Sequence, residues 1–254
     1  MRLHPLTAHE LKVANFNDWD HLFQFSGFPE PFLSRSEVEV RRWSREYRSR
    51  FLRDDLSSLE RIEDITLLEQ TMLRLPGLVG SPLSINNLRN DLQVSHRALS
   101  HWLQIFERLY AIYRISPIGG IKIQALKKAQ KHYHYDWTLV KDPGPRFENM
   151  VGNNLLAHVQ YHEDTQGRDV ELRYYRDSEK REVDFVITED QKPRLLIECK
   201  TGDEAISPHL HYLKSKFPKA EAWQLSHHGS KDYVSDTGIR VTPAWKMLSQ
   251  EIEI

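Results

Sequence analysis

The first half of the chain carries hydrophobic residues at spacings of three and four, the period of a helix with one buried face. One such run covers residues 37–61, and a second covers residues 65–75, where PGLVGSP ends it. Ser84 and Ser95 each precede a further short run and suit the N-caps of two helices. The alternating residues YAIYRISPI then predict a strand. The pattern therefore predicts a helical unit that closes with a strand.

The residues before position 37 show a less regular pattern. Thr7 and Glu10 have the spacing of a capping box, which predicts a helix start in RLHPLTAHELK. The stretch SGFPEPFL is predicted to be a loop, because proline and glycine interrupt regular structure.

The C-terminal half changes from helical spacing to alternation. PGPRFENMVGNNLLAHVQYH predicts an amphipathic helix of about four turns, with Glu148 in its first turn. VELRYYRD and REVDFVITED predict a β-hairpin, and the turn QKP leads to a third strand, RLLIECK. EAWQLS and GIRVTP predict two more strands, and PAWKMLSQ predicts a terminal helix. These elements predict an α/β (α+β) fold with a mixed central sheet flanked by helices.

Three regions are predicted along the chain. Residues 1–36 precede the helical pattern, residues 37–118 form a helical linker and a winged-helix-like unit, and residues 119–254 form the sheet domain. The middle region is interpreted as winged-helix-like because two short helices, a tight turn and a following strand are typical of that motif. The Gly119–Gly120 pair predicts a joint at the start of the last region.

The overall composition says little about the partners of the protein, whereas the distribution of charge along the chain is more informative. The formal net charge is −1, which points to no particular partner. Residues 81–131 contain eight Lys or Arg and two Asp or Glu, whereas residues 146–204 contain nine basic and fourteen acidic residues. Cys199 is the one cysteine, so no intrachain disulfide is possible. No apolar run is long enough for a membrane span, so a soluble cytoplasmic protein with no membrane partner is expected.

The basic region predicts contact with nucleic acid. The second short helix would expose Arg97, His101 and Gln104, side chains that can contact phosphates or base edges. Lys127 and Lys128 lie next to an aromatic strand, a combination that suits single strands or phosphate backbones. The alternatives are a packing or protein-contact module for the helix and a solvated edge for the lysines.

The polar face of the 37–61 helix is also basic. It carries Arg41, Arg45 and Arg48, opposite the predicted apolar face. The favoured interpretation of these arginines is a solvated surface.

Three charges interrupt the apolar strands of the stretch REVDFVITEDQKPRLLIECK. Asp184 lies inside VDFVI, and Glu198 and Lys200 lie at the end of LLIECK. A charge on a strand face that packs against a core is costly unless it is paired or bound. Alternation places Asp184 on the face of Glu182 and Val186, and it places Glu198 and Lys200 together on one face of the next strand.

These charges are predicted to converge if the two strands are neighbours, and Glu148 from the covering helix would complete the group. Such carboxylates suit Mg²⁺ or Mn²⁺, with Asp184 and Glu198 as ligands and Lys200 orienting a water. The alternative is an internal salt bridge between Lys200 and either Glu198 or Asp184.

The order of a helical Glu, a strand Asp and Glu-x-Lys resembles the PD-(D/E)XK nuclease-like fold. More narrowly, FENMVGNNLL, ELRYYRDSEKREVDFVI and LLIECK resemble the domain of unknown function 4143, which follows a AAA-type ATPase domain in many prokaryotic proteins. The resemblance implies a metal-dependent nuclease module acting on DNA or RNA, with catalytic residues Glu148, Asp184, Glu198 and Lys200. Val183 stands where many members of the superfamily have proline.

The same resemblance bears on the N-terminus and on possible partners. RLHPLTAHELK resembles the last part of the ATPase domain, so residues 1–36 are interpreted as its remnant. Nothing matches GxxxxGK[ST], so the ATPase core is expected to be absent and ATP hydrolysis is not predicted. The alternative function is a catalytically silent module that binds nucleic acid or protein and works with an ATPase partner.

Overall fold

A computed structural model describes residues 2–50, 65–119 and 129–252 of the chain. Its first helices are α1 (Phe16–Phe25), α2 (Pro29–Ser34) and α3 (Glu37–Arg50). These are followed by α4 (Ile65–Arg74), α5 (Ile85–Leu92), α6 (His96–Arg108) and strand β1 (Ile112–Ile115). The helices predicted for the first half are confirmed, except that residues 51–61 of the 37–61 helix lie outside the described residues.

The helices α4, α5 and α6 form a small hydrophobic core of their own. Ser84 and Ser95 cap α5 and α6 by accepting hydrogen bonds from the backbone N–H groups of Asn87 and Ala98. Gln93 ends α5 in a left-handed conformation, with φ of 56°, and α6 begins three residues later. The apolar residues meet in one cluster that includes Leu68, Met72, Leu88, Leu92, Leu99, Trp102, Leu103 and Phe106. A helix–turn–helix followed by a strand is therefore present.

Two predictions near the N-terminus are wrong in extent. Thr7 and Glu10 make both bonds of a capping box, with Glu10 N–H 3.2 Å from Thr7 Oγ1 and Thr7 N–H 2.9 Å from Glu10 Oε2. The helix stops after one turn, because Lys12 has φ of 50° and Val13 N–H turns back to the carbonyl of Ala8. The predicted loop SGFPEPFL contains α2, which proline can begin because the first helical N–H has no intrahelical partner.

The C-terminal part is built on a six-stranded mixed sheet. After β2 (Lys131–His134) and the helix α7 (Pro143–Gln166) come β3 (Val170–Arg176), β4 (Glu182–Glu189) and β5 (Lys192–Lys200). The remaining elements are α8 (Pro208–Lys216), β6 (Glu221–Ser226), β7 (Tyr233–Val234), β8 (Ile239–Pro243) and α9 (Ala244–Leu248). The strand order is β3-β4-β5-β6-β8-β7, and β5, β6 and β8 run parallel while the other pairs are antiparallel. The predicted mixed α/β fold is confirmed.

Helices cover both faces of this sheet. The core on one face joins Phe147, Val151 and Leu155 of α7 to Phe185 and Ile197 of the central strands. The core on the other face joins α8 to the sheet through Leu210, Leu213, Val186, Leu196 and Ala222. None of the helices in the described ranges combines the length and apolarity that a membrane span requires. The two buried faces explain the almost continuous apolar runs of β4 and β5.

The helix α7 begins earlier than its sequence pattern predicts. Asp142 is its N-cap and accepts a hydrogen bond from Gly144 N–H at 3.2 Å, and Pro143 is its first residue. Proline is tolerated there because its missing N–H would have no partner. Glu148 therefore lies in the second turn, and the prediction that it occupies the first turn is wrong.

The helical part and the sheet are joined through β2. This strand pairs antiparallel with β1, and its residue His134 is bound at both backbone groups by the side-chain amide of Asn149 on α7. Asn153 donates a further bond to the carbonyl of His134 at 3.0 Å. Asparagine side chains thus extend the β1–β2 ladder onto α7, which fixes where β2 lies relative to the sheet.

Two buried histidines on β2 predict a strong dependence of stability on pH. Burial lowers the pKa of His132 to about 4 and that of His134 to about 3. Each ring is neutral when folded but titrates near its usual pKa of about 6.5 when unfolded, so stability is full above pH 6.5 and falls as pH drops towards 4. We expect a loss on the order of 2 kcal/mol for each ring between pH 7.5 and 5, measured by urea unfolding.

The matched variants are His132→Gln and His96→Gln, one buried and one exposed. His132→Gln is expected to remove the contribution of that one ring to the pH dependence of the free energy of unfolding. His96→Gln is expected to leave the pH dependence unchanged. A pH dependence that is the same in all three proteins would contradict the assignment.

Candidate functional site

The centre of the acidic site is occupied by a lysine from β2. Lys131 is fully buried, and its Nζ lies 3.0 Å from Glu148 Oε1, 2.7 Å from Glu182 Oε1 and 3.3 Å from Asp184 Oδ1. These partners come from α7 and from β4. A buried ammonium is stable only with such close pairing, so the lysine and the three carboxylates depend on one another.

The electrostatics follow from burial and from this pairing. Burial by itself lowers the pKa of Lys131, but the charges of Glu148, Asp184 and Glu182 outweigh it and hold that pKa well above its usual range. Burial and the nearby charge of Asp184 raise the pKa of Glu148, while Lys131 and the hydroxyl of Tyr133 act in the opposite direction. Tyr133 donates to Glu148 Oε1 at 2.6 Å. Glu148 Oε1 therefore accepts hydrogen bonds from both Lys131 and Tyr133.

A β-bulge brings Asp184 to the lysine. Arg173 of β3 pairs with Val186, whereas Tyr175 pairs with Val183, so β4 has one extra residue at this point. Val183 and Val186 consequently pack into the same core beside α8. The strict alternation predicted for β4, with Asp184 and Val186 on one face, is wrong here. Asp184 instead accepts hydrogen bonds from Lys131 Nζ and from Cys199 N–H, the latter at 2.9 Å.

Glu198 and Lys200 form a second group at the end of β5. Lys200 Nζ lies 3.0 Å from Glu198 Oε1, while the buried Glu198 Oε2 has no hydrogen-bond partner among the described residues. Burial and then the charge of Asp184 raise the pKa of Glu198 to about 8, and Lys200 opposes this. The salt-bridge alternative thus describes the contact of Lys200 with Glu198, but it leaves one carboxylate oxygen unsatisfied.

The four predicted catalytic residues fall into these two neighbouring groups. Glu148 and Asp184 meet at Lys131, and Glu198 pairs with Lys200. Within the described ranges, no group of three or more His, Cys, Asp or Glu side chains is arranged to hold a metal ion. The two groups together contain four carboxylates and three cations, because Arg176 also binds Glu182, at 2.8 Å. The carboxyl groups of the site therefore outnumber its cations by one.

The sequence reasoning missed Lys131, Tyr133 and Glu182 as members of this site. Lys131 ends the basic region 81–131, yet alternation places it on the same face as Tyr133 and Tyr135 of the aromatic strand. That shared face was the available indication of burial. Glu182 gave no comparable indication, because it lies next to the charged turn of the hairpin.

The predicted nucleic-acid contacts lie elsewhere in the fold. Arg97, His101 and Gln104 lie exposed on one face of α6, as predicted. Lys127 and Lys128 lie outside the described residues. The exposed face of α6 shows where these side chains point, and their contact with nucleic acid stays a prediction.

Removing the central lysine is expected to destabilise the fold strongly. Lys131→Met leaves the buried Glu148 and the partly buried Asp184 and Glu182 without their shared partner, so we expect a loss of about 3–5 kcal/mol at pH 7.5 in urea unfolding. The loss relative to wild type is expected to be smaller at pH 5.5, because burial and the charge of Asp184 raise the pKa of Glu148 and its protonation relieves the repulsion between the carboxylates.

The matched control is Lys192→Met, which removes an exposed lysine from the first position of β5. It is expected to change stability by less than about 0.5 kcal/mol. A loss of less than about 1 kcal/mol in Lys131→Met would contradict the central role of the buried ammonium.

The comparisons with known proteins find two family models and nothing else. Residues 16–142 match the model described as Domain of unknown function (DUF8612), and residues 143–247 match the one described as Domain of unknown function (DUF4143). No curated protein and no solved structure matches the chain. The second model contains Glu148, Asp184, Glu198 and Lys200, whereas Lys131 lies within the first. The chain thus carries a DUF4143 domain at residues 143–247, as its motifs indicated, and it belongs to the DUF8612 family, whose model covers half of its length.

Proposed function

We propose that the chain is a metal-dependent nuclease module that acts on nucleic acid phosphodiesters. Asp184 and Glu198 would hold Mg²⁺ or Mn²⁺, Glu148 would assist, and Lys200 would position the attacking water. The residue types match the chemistry, because phosphoryl transfer needs positioned charges more than it needs a covalent nucleophile. Cys199 is a poor nucleophile, since burial holds the pKa of its thiol well above its usual range.

The observation that carries the proposal is the unsatisfied oxygen of Glu198. A buried carboxylate oxygen without a donor is costly, and a cation or a proton would relieve it. The pKa of Glu198, raised to about 8, supports the same inference, because burial and the charge of Asp184 outweigh the stabilisation of the charged form by Lys200 and Ser207. The excess of carboxylates over cations around it points in the same direction.

The donor set fits a hard cation. Mg²⁺ is commonly held by one or two carboxylates, with waters and substrate oxygens completing its coordination, so the pair Asp184 and Glu198 is sufficient. Asp184 and Glu148 would each use a remaining lone pair, because Asp184 already accepts from Lys131 and Cys199 N–H and Glu148 Oε1 from Lys131 and Tyr133. When bound, the ion would polarise a phosphoryl oxygen and lower the pKa of a bound water.

Lys200 is the side chain placed to work beside such an ion. Its Nζ is held 3.0 Å from Glu198 Oε1, and the charges of Glu198 and Asp184 raise its pKa against the effect of burial. It therefore stays protonated at neutral pH. An ammonium at this place can donate to a water or to a phosphoryl oxygen as negative charge develops there.

A second function is favoured by one specific contact. Lys131 already provides a cation to Glu148, Glu182 and Asp184, so these carboxylates are paired without any metal. This favours a catalytically silent module that binds nucleic acid or protein. An ATPase partner for it follows only from the resemblance noted in the sequence. In that function the acidic site is structural. The carboxyl group of Glu198 is protonated, so its unbonded oxygen needs no cation.

The two functions predict different responses to divalent cations. If Glu198 is a ligand, protons compete with the ion, so Mg²⁺ binding is expected to be about fivefold tighter at pH 8 than at pH 7. Calorimetry at both pH values measures this directly. Glu198→Gln is expected to abolish the binding, because the amide cannot supply the anionic oxygen.

The matched control for calorimetry is Glu179→Gln, which removes an exposed carboxylate from the β3–β4 turn. It is expected to bind Mg²⁺ like wild type. Absence of Mg²⁺ and Mn²⁺ binding by wild type at pH 8 would contradict the nuclease proposal and favour the silent module.

Cleavage assays test the catalytic step itself. With Mg²⁺ or Mn²⁺, labelled DNA and RNA are expected to be cleaved by wild type, and Lys200→Ala is expected to reduce the rate by about 100-fold or more. Lys200→Ala should still bind the cation, whereas Asp184→Asn should lose both binding and cleavage. If wild type binds the cation but cleaves neither DNA nor RNA, the bound ion is structural and the nuclease proposal is contradicted.

A further inference from the structure

A second charged feature lies at the N-terminus of α7, where Asp142, Pro145 and Arg146 line two cavities. Two adjoining cavities, of about 500 and 660 Å³, share Arg48, Leu139 and Lys141 in their walls. The first lies between α3 and the segment 138–146, and the second continues along the residues that follow α4. We call the two together the basic groove.

The walls of the basic groove are strongly cationic. The first cavity is lined by five basic side chains and one carboxylate, namely Arg41, Arg45, Arg48, Lys141, Arg146 and Glu37. Glu37 is paired with Arg41 at 3.1 Å. The second cavity adds Arg74, together with Asp91 and Asp142. Asp142 caps α7 by accepting from Gly144 N–H. The first cavity is therefore the more positive part of the groove.

Most of these cations have no carboxylate partner. Among the described residues, Arg45 and Lys141 make no ion pair or hydrogen bond, and Arg48 donates only to the carbonyl of Ser44. Arg146 donates to the carbonyls of Val140 at 2.7 Å and Thr138 at 3.4 Å. Carbonyl partners fix a guanidinium in place without neutralising it.

The nearest buried carboxylate is already satisfied. Asp136 accepts hydrogen bonds from the hydroxyls of Ser26, Ser44 and Thr138, at 2.9, 3.0 and 2.7 Å. Burial lowers the pKa of Arg146, and the charge of Asp136 only partly opposes this. A half-buried, oriented guanidinium without a carboxylate is better explained by an anionic ligand than by solvation alone.

We propose that the basic groove binds the phosphate backbone of nucleic acid. Unpaired Arg and Lys side chains in a row suit a chain of phosphates, because each can release a counterion on binding. The second cavity reaches Val79 and Pro145, and Gly80 beside them lies against Glu148 of the acidic site. The groove thus extends from α3 to residues that neighbour Gly80, which packs near Glu148. The interpretation of Arg45 and Arg48 as solvated surface is replaced by a binding role.

This inference deepens the proposed function, since it names where the strand would lie, but binding does not require cleavage. The test is therefore run without divalent cations, on the full chain, with fluorescently labelled single-stranded and duplex DNA of about 20 base positions, longer than common site sizes. Fluorescence anisotropy gives the affinity across a salt series. Loss of cleavage activity alone would leave the groove unaffected.

The informative variant is Arg45→Gln/Lys141→Gln, which removes the two exposed cations that have no partner within residues 2–50, 65–119 and 129–252. We expect binding at about 50 mM salt to weaken by about tenfold or more. The slope of log affinity against log salt concentration is expected to fall by about 1.4 for single strands. Both residues are exposed, so the melting temperature is expected to stay unchanged.

The matched control is Lys192→Gln/Lys219→Gln, which removes the same charge at two exposed positions, one at the start of β5 and one before β6. It is expected to bind like wild type. An equal loss in both double variants would show a general charge effect and overturn the proposal. Unchanged binding in Arg45→Gln/Lys141→Gln, with loss instead in Arg97→Gln on α6, would also overturn it.

Discussion

The burial of one ammonium group constrains the architecture of this chain. Lys131 is fully inaccessible and is held by Glu148, Glu182 and Asp184, which come from α7 and β4. A buried charge requires all of its partners to stay in contact, because each lost partner leaves another charge uncompensated in a medium of low dielectric constant. Strand β2, helix α7 and the bulged strand β4 must therefore meet within a few tenths of an ångström of the same place.

This constraint explains why the two family segments form one body. The match to DUF8612 ends at residue 142 and the match to DUF4143 begins at residue 143, yet the largest core contains Trp19 and Tyr133 from one side and Phe147 from the other. Asn149 extends the β1–β2 ladder onto α7 in the same region. The predicted boundaries at residues 36/37 and 118/119 stay predictions, but the packing crosses both of them.

The two charged features of the molecule differ in their charged groups, and helix α7 contributes to both, through Glu148 and Arg146. The acidic site gathers carboxylates that exceed their cations, while the basic groove gathers cations that lack carboxylates. Neither feature neutralises the other. A strand of phosphates on the groove and a hard cation at Glu198 would each compensate one of them, so one ligand system accounts for both imbalances. The silent alternative explains the acidic site by the pairing with Lys131 and the protonation of Glu198. It explains the basic groove only as a binding surface.

The sequence by itself determined the elements whose causes are local. Ser84 and Ser95 cap their helices through residues three positions away, and alternation marks the hairpin and β5, so these elements and the mixed α/β class were predictable. It also predicted that Glu148, Asp184, Glu198 and Lys200 converge if the two strands are neighbours. Only the tertiary structure decided how their charges are compensated. Lys131 is 53 residues from Asp184 in the chain, and the bulge that turns Asp184 towards it depends on the register between β3 and β4. Burial and pairing of a charge are properties of the packed neighbourhood, which no local spacing records.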